Sequence, residues 1–256
     1  MNNIRVMPCL LLKGLGLVKT IKFKEHNYIG DPINAVHIFN KKEVDELIFL
    51  DITASKEGRK PPLELIMKIA DECFMPFGIG GGINSLKDMK TLLKAGAEKV
   101  IVNTAAYEKP DFIKEASETF GSQSLVVSID VKKNFFGKYD CYVKNGTKKI
   151  QKNPVEFAKE VQKLGCGEIL LNSIDNDGVM SGYDLDLIKQ VSKAVNVPVI
   201  TCGGAGRLEH FKEAVNSGAS ALAAGSMFVY HGPRKAVLIN FPDRKELDNL
   251  FIDLNK

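Results

Sequence analysis

Short apolar runs recur eight times along this chain, and their recurrence constrains the fold more than any other feature. The runs span residues 5–12, 46–52, 76–80, 99–103, 124–130, 168–174, 198–202 and 221–225. Segments with apolar residues three and four positions apart, as helices have, lie between most of them, at 61–74, 85–97, 154–165 and 210–219. Strands that alternate with helices pair in parallel and are buried on both faces. Eight such strands in 256 residues predict a closed α/β barrel, the (β/α)8 or TIM barrel, rather than an open doubly wound sheet.

The two halves of the chain resemble each other. At a shift of 119 to 122 residues, CLLLK matches SIDVK, FLDIT matches LLNSI, PFGIGGGI matches PVITCGGA, and AGAEKVIVNT matches SGASALAAGS. A match of long period at four strand ends indicates a barrel made of two similar half-barrels. We therefore predict one domain, residues 1–256, with quasi-twofold symmetry and half-barrels at about 1–120 and 121–256.

Composition narrows the class of protein. The 35 basic and 31 acidic residues are spread along the chain, which argues against a nucleic-acid partner and leaves an anionic small molecule open. No apolar stretch reaches the roughly 18 residues of a membrane span, and Met1 to Asn3 lack the features of a signal peptide, so we predict no membrane partner and a cytoplasmic location. The five cysteines form no CxxC pair and the four histidines stand apart. We predict neither a metal nor a cofactor.

Polar and glycine residues follow the strands at the end where TIM barrels carry their active sites. Glycine-rich turns expose backbone N–H groups that bind phosphate, and the internal symmetry predicts two such cradles and a substrate with a phosphate at each end. The alternative for each glycine is that it only permits a tight turn. The candidate binding residues are Gly81, Gly82, Asn103, Thr104, Asp177, Gly178, Gly203, Gly204, Gly225 and Ser226.

Two carboxylates and one lysine complete this face. Asp130 ends the fifth strand, where burial would raise its pKa toward that of a general acid or base, although an aspartate that caps the next turn is the alternative. Asp51 ends the second strand in the same way. Lys19 follows the first strand in a predicted loop, from which it could reach a phosphate. The internal copy of Asp130 is Leu11, which carries no titratable group.

Charged residues stand at the opposite ends of four strands: Arg5, Glu46, Lys99 and Glu168. Two charges of each sign could neutralise one another as a ring at the bottom of the barrel. Ordinary surface charge is the alternative, and composition alone favours it.

Several motifs together resemble the cyclase subunit of imidazole glycerol phosphate synthase, the HisF family. They are RVMPCLLLKG, GDP at 30–32, DELIFLDITAS, PFGIGGGI, KVIVNTAA, FGSQSLVVSIDVK, GCGEILLNSIDNDGVMSGYD and CGGAGRLEHF. The resemblance extends to about Phe228. It implies a lyase that closes a ring on a long bisphosphate, with ammonia supplied by a HisH-like glutaminase docked at the amino-terminal face of the barrel.

The resemblance also assigns residues. The family's ammonia gate of one Arg, one Lys and two Glu matches Arg5, Glu46, Lys99 and Glu168, and its loop lysine matches Lys19. Its second catalytic aspartate matches Asp130, but its first falls on Leu11. Asn172 and Cys202 stand where the family usually has hydroxyl residues, and residues 230–247 replace the usual tail.

Three functions remain open at this point. The first is a subunit that passes ammonia to other chemistry, as in HisF-like paralogues that serve an N-acetyl sugar amidotransferase in surface-polysaccharide or flagellar-sugar synthesis. The second is a true cyclase in which Asp130 and a water compensate for Leu11. The third is a barrel that binds a phosphorylated sugar and activates a glutaminase without catalysis of its own.

Overall fold

A computed structural model describes residues 4–252. The signal-peptide prediction for residues 1–3, and the two ends of the predicted domain 1–256, therefore lie outside the described residues. Within 4–252 the strands are β1 Arg5–Lys13, β2 Gly16–Ile21, β3 Lys24–Gly30, β4 Leu47–Asp51, β5 Phe77–Gly80, β6 Lys99–Val102, β7 Leu125–Lys133, β8 Tyr139–Val143, β9 Lys148–Lys149, β10 Glu168–Ser173, β11 Val199–Cys202, β12 Ala221–Ala224, β13 Tyr230–His231 and β14 Ala236–Val237.

Eight of these strands close into a barrel. Their order around it is β1, β4, β5, β6, β7, β10, β11 and β12, and β12 pairs in parallel with β1 to close the ring. All eight neighbouring pairs are parallel. The predicted TIM barrel is confirmed, and each predicted strand lies at its barrel strand to within a few residues at either end.

Helices follow the barrel strands and cover the outside of the sheet. They are α1 Pro32–Lys41, α2 Ala54–Glu57, α3 Leu63–Glu72, α4 Leu86–Lys94, α5 Thr104–Glu108, α6 Pro110–Phe120, α7 Pro154–Lys163, α8 Leu185–Ser192, α9 Glu209–Asn216, α10 Ser226–Val229 and α11 Arg244–Phe251, with a short 3-10 helix at Ser122–Ser124. Capping side chains define several starts, as where Ser85 accepts a hydrogen bond from the N–H of Asp88 at α4. In the described part of the chain no helix combines the length and the apolar character that crossing a membrane requires.

Successive side chains of each barrel strand point to opposite faces of the sheet and form two separate cores. The outward-facing residues pack under the helices in one large cluster, with Phe39, Phe49 and Phe211 fully buried. The inward-facing residues form a second cluster that fills the lumen between the two ends of the barrel: Met7, Cys9, Ile48, Ile101, Val126, Leu170, Ile200, Cys202, Ala221 and Ala223. Because these side chains are small or apolar, the middle of the lumen is apolar.

Two hairpins extend the barrel beyond its rim, and the sequence pattern did not predict them. Strand β1 turns back into β2, which pairs with β3, and β7 turns back into β8, which pairs with β9. Both β1 and β7 have nine residues and stand at a shift of 120 in the sequence. The prediction that Lys19 lies in a loop was wrong, because it lies on strand β2. The division into half-barrels within one domain stays a prediction.

Candidate active site at the barrel mouth

One pocket opens at the carboxyl ends of the strands. Every barrel strand contributes to its lining, from Cys9 and Leu11 on β1 to Ala224 on β12. The walls above the strands carry the predicted glycines and the polar residues around them. All of the binding and catalytic positions predicted from the sequence line this pocket: Leu11, Lys19, Asp51, Gly81, Gly82, Asn103, Thr104, Asp130, Asp177, Gly178, Gly203, Gly204, Gly225 and Ser226. The structure thus brings these residues to one place, while their role in binding stays a prediction.

Asp130 is the carboxylate that a barrel strand directs into the centre of the pocket. It lies near the end of the barrel part of β7 and is buried, and the Ser128 hydroxyl donates to its Oδ1 over 3.2 Å. Burial raises the pKa of Asp130 from 3.8 to about 7; the Ser128 hydrogen bond opposes this shift and the charge of Asp177 adds to it. A carboxyl group with a pKa near neutral can both donate and accept a proton at physiological pH.

Leu11 lines the same pocket from β1. In the parallel register it stands beside Leu50 of β4, and both side chains pack against the apolar lumen. No proton can be donated or accepted from this position. The mouth therefore has a carboxylate from β7 and an aliphatic side chain from β1.

Lys19 points down into the pocket from the β2–β3 hairpin. Its Nζ donates to the carbonyl oxygen of Cys9 over 2.7 Å, and the residue is almost completely buried. Burial lowers the pKa of this ammonium group, and the surrounding negative charges, that of Asp177 among them, only partly offset the effect. The amino group thus lies in the pocket, just above the lumen.

Asp177 holds this hairpin over the pocket. Its Oδ2 accepts from the Thr20 hydroxyl at 2.6 Å and from the N–H of Phe23 at 3.1 Å, and its carbonyl accepts from the N–H of Lys22 at 2.9 Å. The next residue, Gly178, has φ of +70°, and a Cβ there would lie 2.1 Å from the carbonyl oxygen of Thr20. Asp177 and Gly178 therefore fix one wall of the pocket, and burial raises the pKa of the Asp177 carboxyl.

The backbone conformation of the two glycine-rich turns requires glycine. Gly82 and Gly204 have φ of +66° and +120°, and a Cβ on either would lie about 2 Å from a backbone oxygen, 2.1 Å for Gly82 and 2.0 Å for Gly204. The alternative of a tight turn is thus sufficient for these glycines, and phosphate binding is an additional role that stays a prediction. Asn103 (φ −118°, ψ −77°) and Gly225 (φ −112°, ψ −74°) precede α5 and α10 with nearly the same conformation, as related half-barrels would have.

Asp51 is engaged in a local ion pair. Both of its carboxylate oxygens contact the Arg59 guanidinium, at 2.5 Å and 3.1 Å, and Oδ1 also accepts from the N–H groups of Thr53 and Ala54. The Asp51 side chain is fully buried. It therefore ties the β4–α2 connection together beneath the pocket wall. Arg59 was missed by the sequence analysis because it lies in an aperiodic loop.

The four strand-entry charges form a closed ring at the other end. Arg5 donates to Glu46 over 2.7 Å and also contacts Glu168, while Lys99 Nζ lies 2.9 Å from Glu46 and 3.0 Å from Glu168. Each cation thus contacts both carboxylates. Burial alone would lower the pKa of Arg5, but the carboxylates of Glu168 and Glu46 raise it overall. The ring closes the bottom of the lumen with no net charge.

One buried acceptor in the pocket lacks a partner. Asn172 stands next to Asp130 in the β7–β10 register, and among the described residues its Oδ1 is buried without a hydrogen bond. Ser128 and Asn172 could have been found from the sequence by the two-residue period of strands, since both face inward with the lumen residues. The sequence analysis singled out Asn172 only through the resemblance.

A model of a known protein family matches residues 5–233 of the chain, and the family is described as histidine biosynthesis protein. The match covers all eight barrel strands and the whole mouth. This chain belongs to the HisF family, since its relatives at 46% to 51% identity are named as HisF subunits. Strand β14 and helix α11 lie beyond the matched range.

Some relatives carry a provisional HisF name, and others are named HisF without that qualification. A protein provisionally named imidazole glycerol phosphate synthase subunit hisF2, from Pseudomonas aeruginosa, is 51% identical over 245 residues, 95% of this chain and 98% of the relative. Another, provisionally named subunit hisF3, from Vibrio vulnificus, is 50% identical over 248 residues, 96% of this chain and 95% of the relative. The imidazole glycerol phosphate synthase subunit HisF of Thermococcus onnurineus is 46% identical over 227 residues, 88% of this chain and 89% of the relative.

Proposed function

We propose that this HisF-family chain is the barrel subunit of a glutamine amidotransferase complex, which receives ammonia from a HisH-like glutaminase and passes it on for amidation in surface-sugar synthesis. The observation that carries the proposal is a contrast between the two ends of one barrel. The four-charge ring at the bottom is complete, whereas Leu11 lines the mouth at the position where the resemblance implies a carboxylate.

The bottom of the barrel supports entry of ammonia. Arg5, Lys99 and the two glutamates satisfy one another, so a glutaminase docked on this face would meet a neutral ring rather than an unpaired charge. The apolar lumen above it favours neutral ammonia over ammonium, because burying an unpaired ion costs far more than burying a small neutral molecule. The relatives are named as subunits of a synthase, which supports the expectation of a partner subunit.

The residues of the mouth are suited to binding a phosphorylated molecule. They supply only one of the two carboxylates that the family's acid and base chemistry uses. Asp130, with a pKa of about 7, is suited to one proton transfer. The cyclase reaction implied by the family uses a second carboxylate, and the loss of such a group commonly costs on the order of 100- to 10,000-fold in rate. We therefore propose that ammonia leaves the mouth for another acceptor.

A cyclase assay tests this directly. The purified chain is supplied with ammonium salt and the bisphosphate substrate of the family, and its turnover is compared with that of a HisF that has both aspartates. We expect turnover lower by about 100-fold or more. We also expect Leu11→Asp to raise it, because the carboxylate is restored, and Leu11→Asn, of similar size but without a titratable proton, to leave it unchanged.

A transfer assay tests the acceptor. Glutamine labelled with nitrogen-15 in its amide is supplied to the chain, the glutaminase and an N-acetyl sugar amidotransferase of the same organism. The mixture also contains an N-acetyl sugar as acceptor and a nucleoside triphosphate, which activates the acetamido oxygen so that it leaves with phosphate when ammonia adds. The label is followed into the sugar by mass spectrometry. Label in an acetamidino group supports the proposal. Lys99→Ala should change the yield of label without dissociating the glutaminase, since it opens the ring but leaves the outer face intact.

The second candidate is a true cyclase of histidine biosynthesis. It is supported by the pKa of Asp130 and by the 46% identity to a protein named HisF. Turnover near that of a two-aspartate enzyme would establish it. The third candidate, a scaffold that only activates a glutaminase, predicts stimulated glutamine hydrolysis that is insensitive to Lys99→Ala. For all three we expect the complex to act in the cytoplasm.

A further inference from the structure

Two hairpin tips stand on opposite sides of the pocket. One is the turn at 13–16 between β1 and β2, and the other is the turn at 134–138 between β7 and β8. Strands β1 and β7 are the first and fifth around a barrel of eight, and therefore face each other across the mouth. Leu15 lies two residues after the end of β1, and Phe135 lies two residues after the end of β7. A molecule that touched both tips would cover the pocket between them.

Both tips expose large apolar side chains. Leu15 is 68% exposed, and Tyr28 on β3, whose ring lies beside the neighbouring Gly16, is 70% exposed. On the second tip Phe135 is 98% exposed and Phe136 is 83% exposed, with their rings edge to face at 5.6 Å. Clustered aromatic and aliphatic groups in water are characteristic of surfaces that a partner covers.

The second tip is held in a defined shape. Asn134 Oδ1 accepts from the N–H groups of Phe136 and Lys138, at 2.9 and 3.1 Å, and its Nδ2 donates to Asp140. Tyr139, the first residue of β8 after the turn, donates its hydroxyl to Asp184 over 2.7 Å. The two phenylalanines are therefore presented by a preorganised turn, which reduces the entropy lost on binding.

Lysines lie beside both turns. Three exposed lysines next to the tips have no carboxylate within 4.0 Å among residues 4–252, namely Lys13, Lys132 and Lys138. Positive charge next to exposed apolar side chains complements an acidic face with apolar pockets.

We infer that the two hairpin tips are the docking surface for the enzyme that accepts the ammonia, and that its matching face carries apolar pockets with acidic side chains around them. This inference rests on the proposed function. Ammonia that left an open mouth would be protonated and lost to water, so an acceptor must cover the mouth. The two hairpin tips carry exposed apolar side chains on both sides of the mouth.

Binding measurements with the N-acetyl sugar amidotransferase of the same organism test the inference. The full chain in complex with its glutaminase is immobilised, and binding is followed by biolayer interferometry at low and high salt. We expect Phe135→Ser with Phe136→Ser to weaken binding by about tenfold or more, and Leu15→Ser to weaken it less. Met67→Ser is the matched control, since Met67 is 51% exposed on helix α3 at the outside of the barrel, away from both ends, and it should bind as the parent does. Higher salt should weaken binding of the parent.

The outcomes separate this inference from the proposed function. If the label reaches the sugar while the double variant binds as tightly as the parent, or while the parent does not bind at all, the docking surface is wrong and the proposed function stands. If no label reaches the sugar, the proposed function fails and the inference with it. Self-association of the chain, or binding to anionic lipid vesicles, that disappears in the double variant would assign the tips to a second copy or to a membrane and overturn the inference. Thermal unfolding of each variant shows that the fold is retained.

Discussion

At the scale of single residues, the mouth is defined by the environment of Asp130. Its carboxyl group is buried beside the Ser128 hydroxyl, and the position facing it from β1 is Leu11. Burial without a cationic partner favours the neutral acid, so the same environment that suits Asp130 for proton transfer also makes its ionisation costly. The free-energy cost of ionising Asp130 therefore also lowers the free energy of unfolding at pH values where the carboxyl group is charged.

We expect Asp130→Asn to stabilise the protein at high pH. The pKa of Asp130 is about 7 in the folded chain, against 3.8 as its ordinary value, so between these values the unfolded chain releases a proton that the folded chain keeps. Stability of the parent therefore falls as pH rises from about 4 to about 7, by up to about 4 kcal/mol. The variant lacks this dependence. Urea unfolding at pH 8 should show the variant to be the more stable, and the difference should shrink toward pH 4.5; an equal difference at both values would contradict this.

At the scale of elements, the hairpins are anchored to neighbouring parts of the barrel by a few polar side chains. Asp184 is the clearest case. It caps α8 by accepting from the N–H of Leu187, accepts the Tyr139 hydroxyl of β8, and lies 3.3 Å from Lys133 Nζ of β7. One carboxylate thus connects the start of a helix to the second hairpin.

We expect Asp184→Ala to destabilise both elements at once. The loss of a cap and of a partly buried hydrogen bond should lower the free energy of unfolding by about 2 kcal/mol. Hydrogen exchange should become faster in β8 as well as in the first turn of α8. Asp186→Ala, an exposed change in the same helical turn, is the control and should alter stability by less than about 0.5 kcal/mol. Faster exchange confined to α8 would show that the hairpin does not depend on Asp184.

At the scale of the whole molecule, the barrel is closed by two contacts between its predicted halves. Strand β6 pairs with β7, and β12 pairs with β1. Each half alone would expose both of these strand edges and the apolar face that the other half covers. The ring at the bottom also joins the halves, since Glu168 of the second half contacts Arg5 and Lys99 of the first.

We expect fragments 1–120 and 121–256 to be poorly soluble when expressed separately and to assemble when expressed together. The physical reason is that unpaired strand edges and exposed apolar faces favour aggregation until they are paired. Co-purification on a tag carried by one fragment, with the far-ultraviolet circular dichroism of the intact chain, is the measurement. Two soluble, folded fragments that do not bind each other would contradict the half-barrel prediction.

Local pattern predicted the barrel well. The eight apolar runs correspond to the eight barrel strands because a strand buried on both faces needs continuous apolar residues. The four predicted helices were also found, each to within about three residues at its ends, as with Leu63–Glu72 for the predicted 61–74. The hairpins were missed because strands such as β3, KEHNYIG, are polar and exposed and carry no burial signal.

By itself, the sequence determined the barrel, predicted its half-barrel repeat, and gave the contrast between Asp130 and Leu11, because these depend on which residues are buried and on matches along one chain. Only the tertiary structure decided that Arg5, Glu46, Lys99 and Glu168 close into a ring, that Arg59 holds Asp51, and that the amino group of Lys19 turns down to the carbonyl of Cys9. The physical reason is that periodicity reports the direction in which a side chain points, whereas a contact between residues up to 163 positions apart depends on the register and closure of the whole barrel.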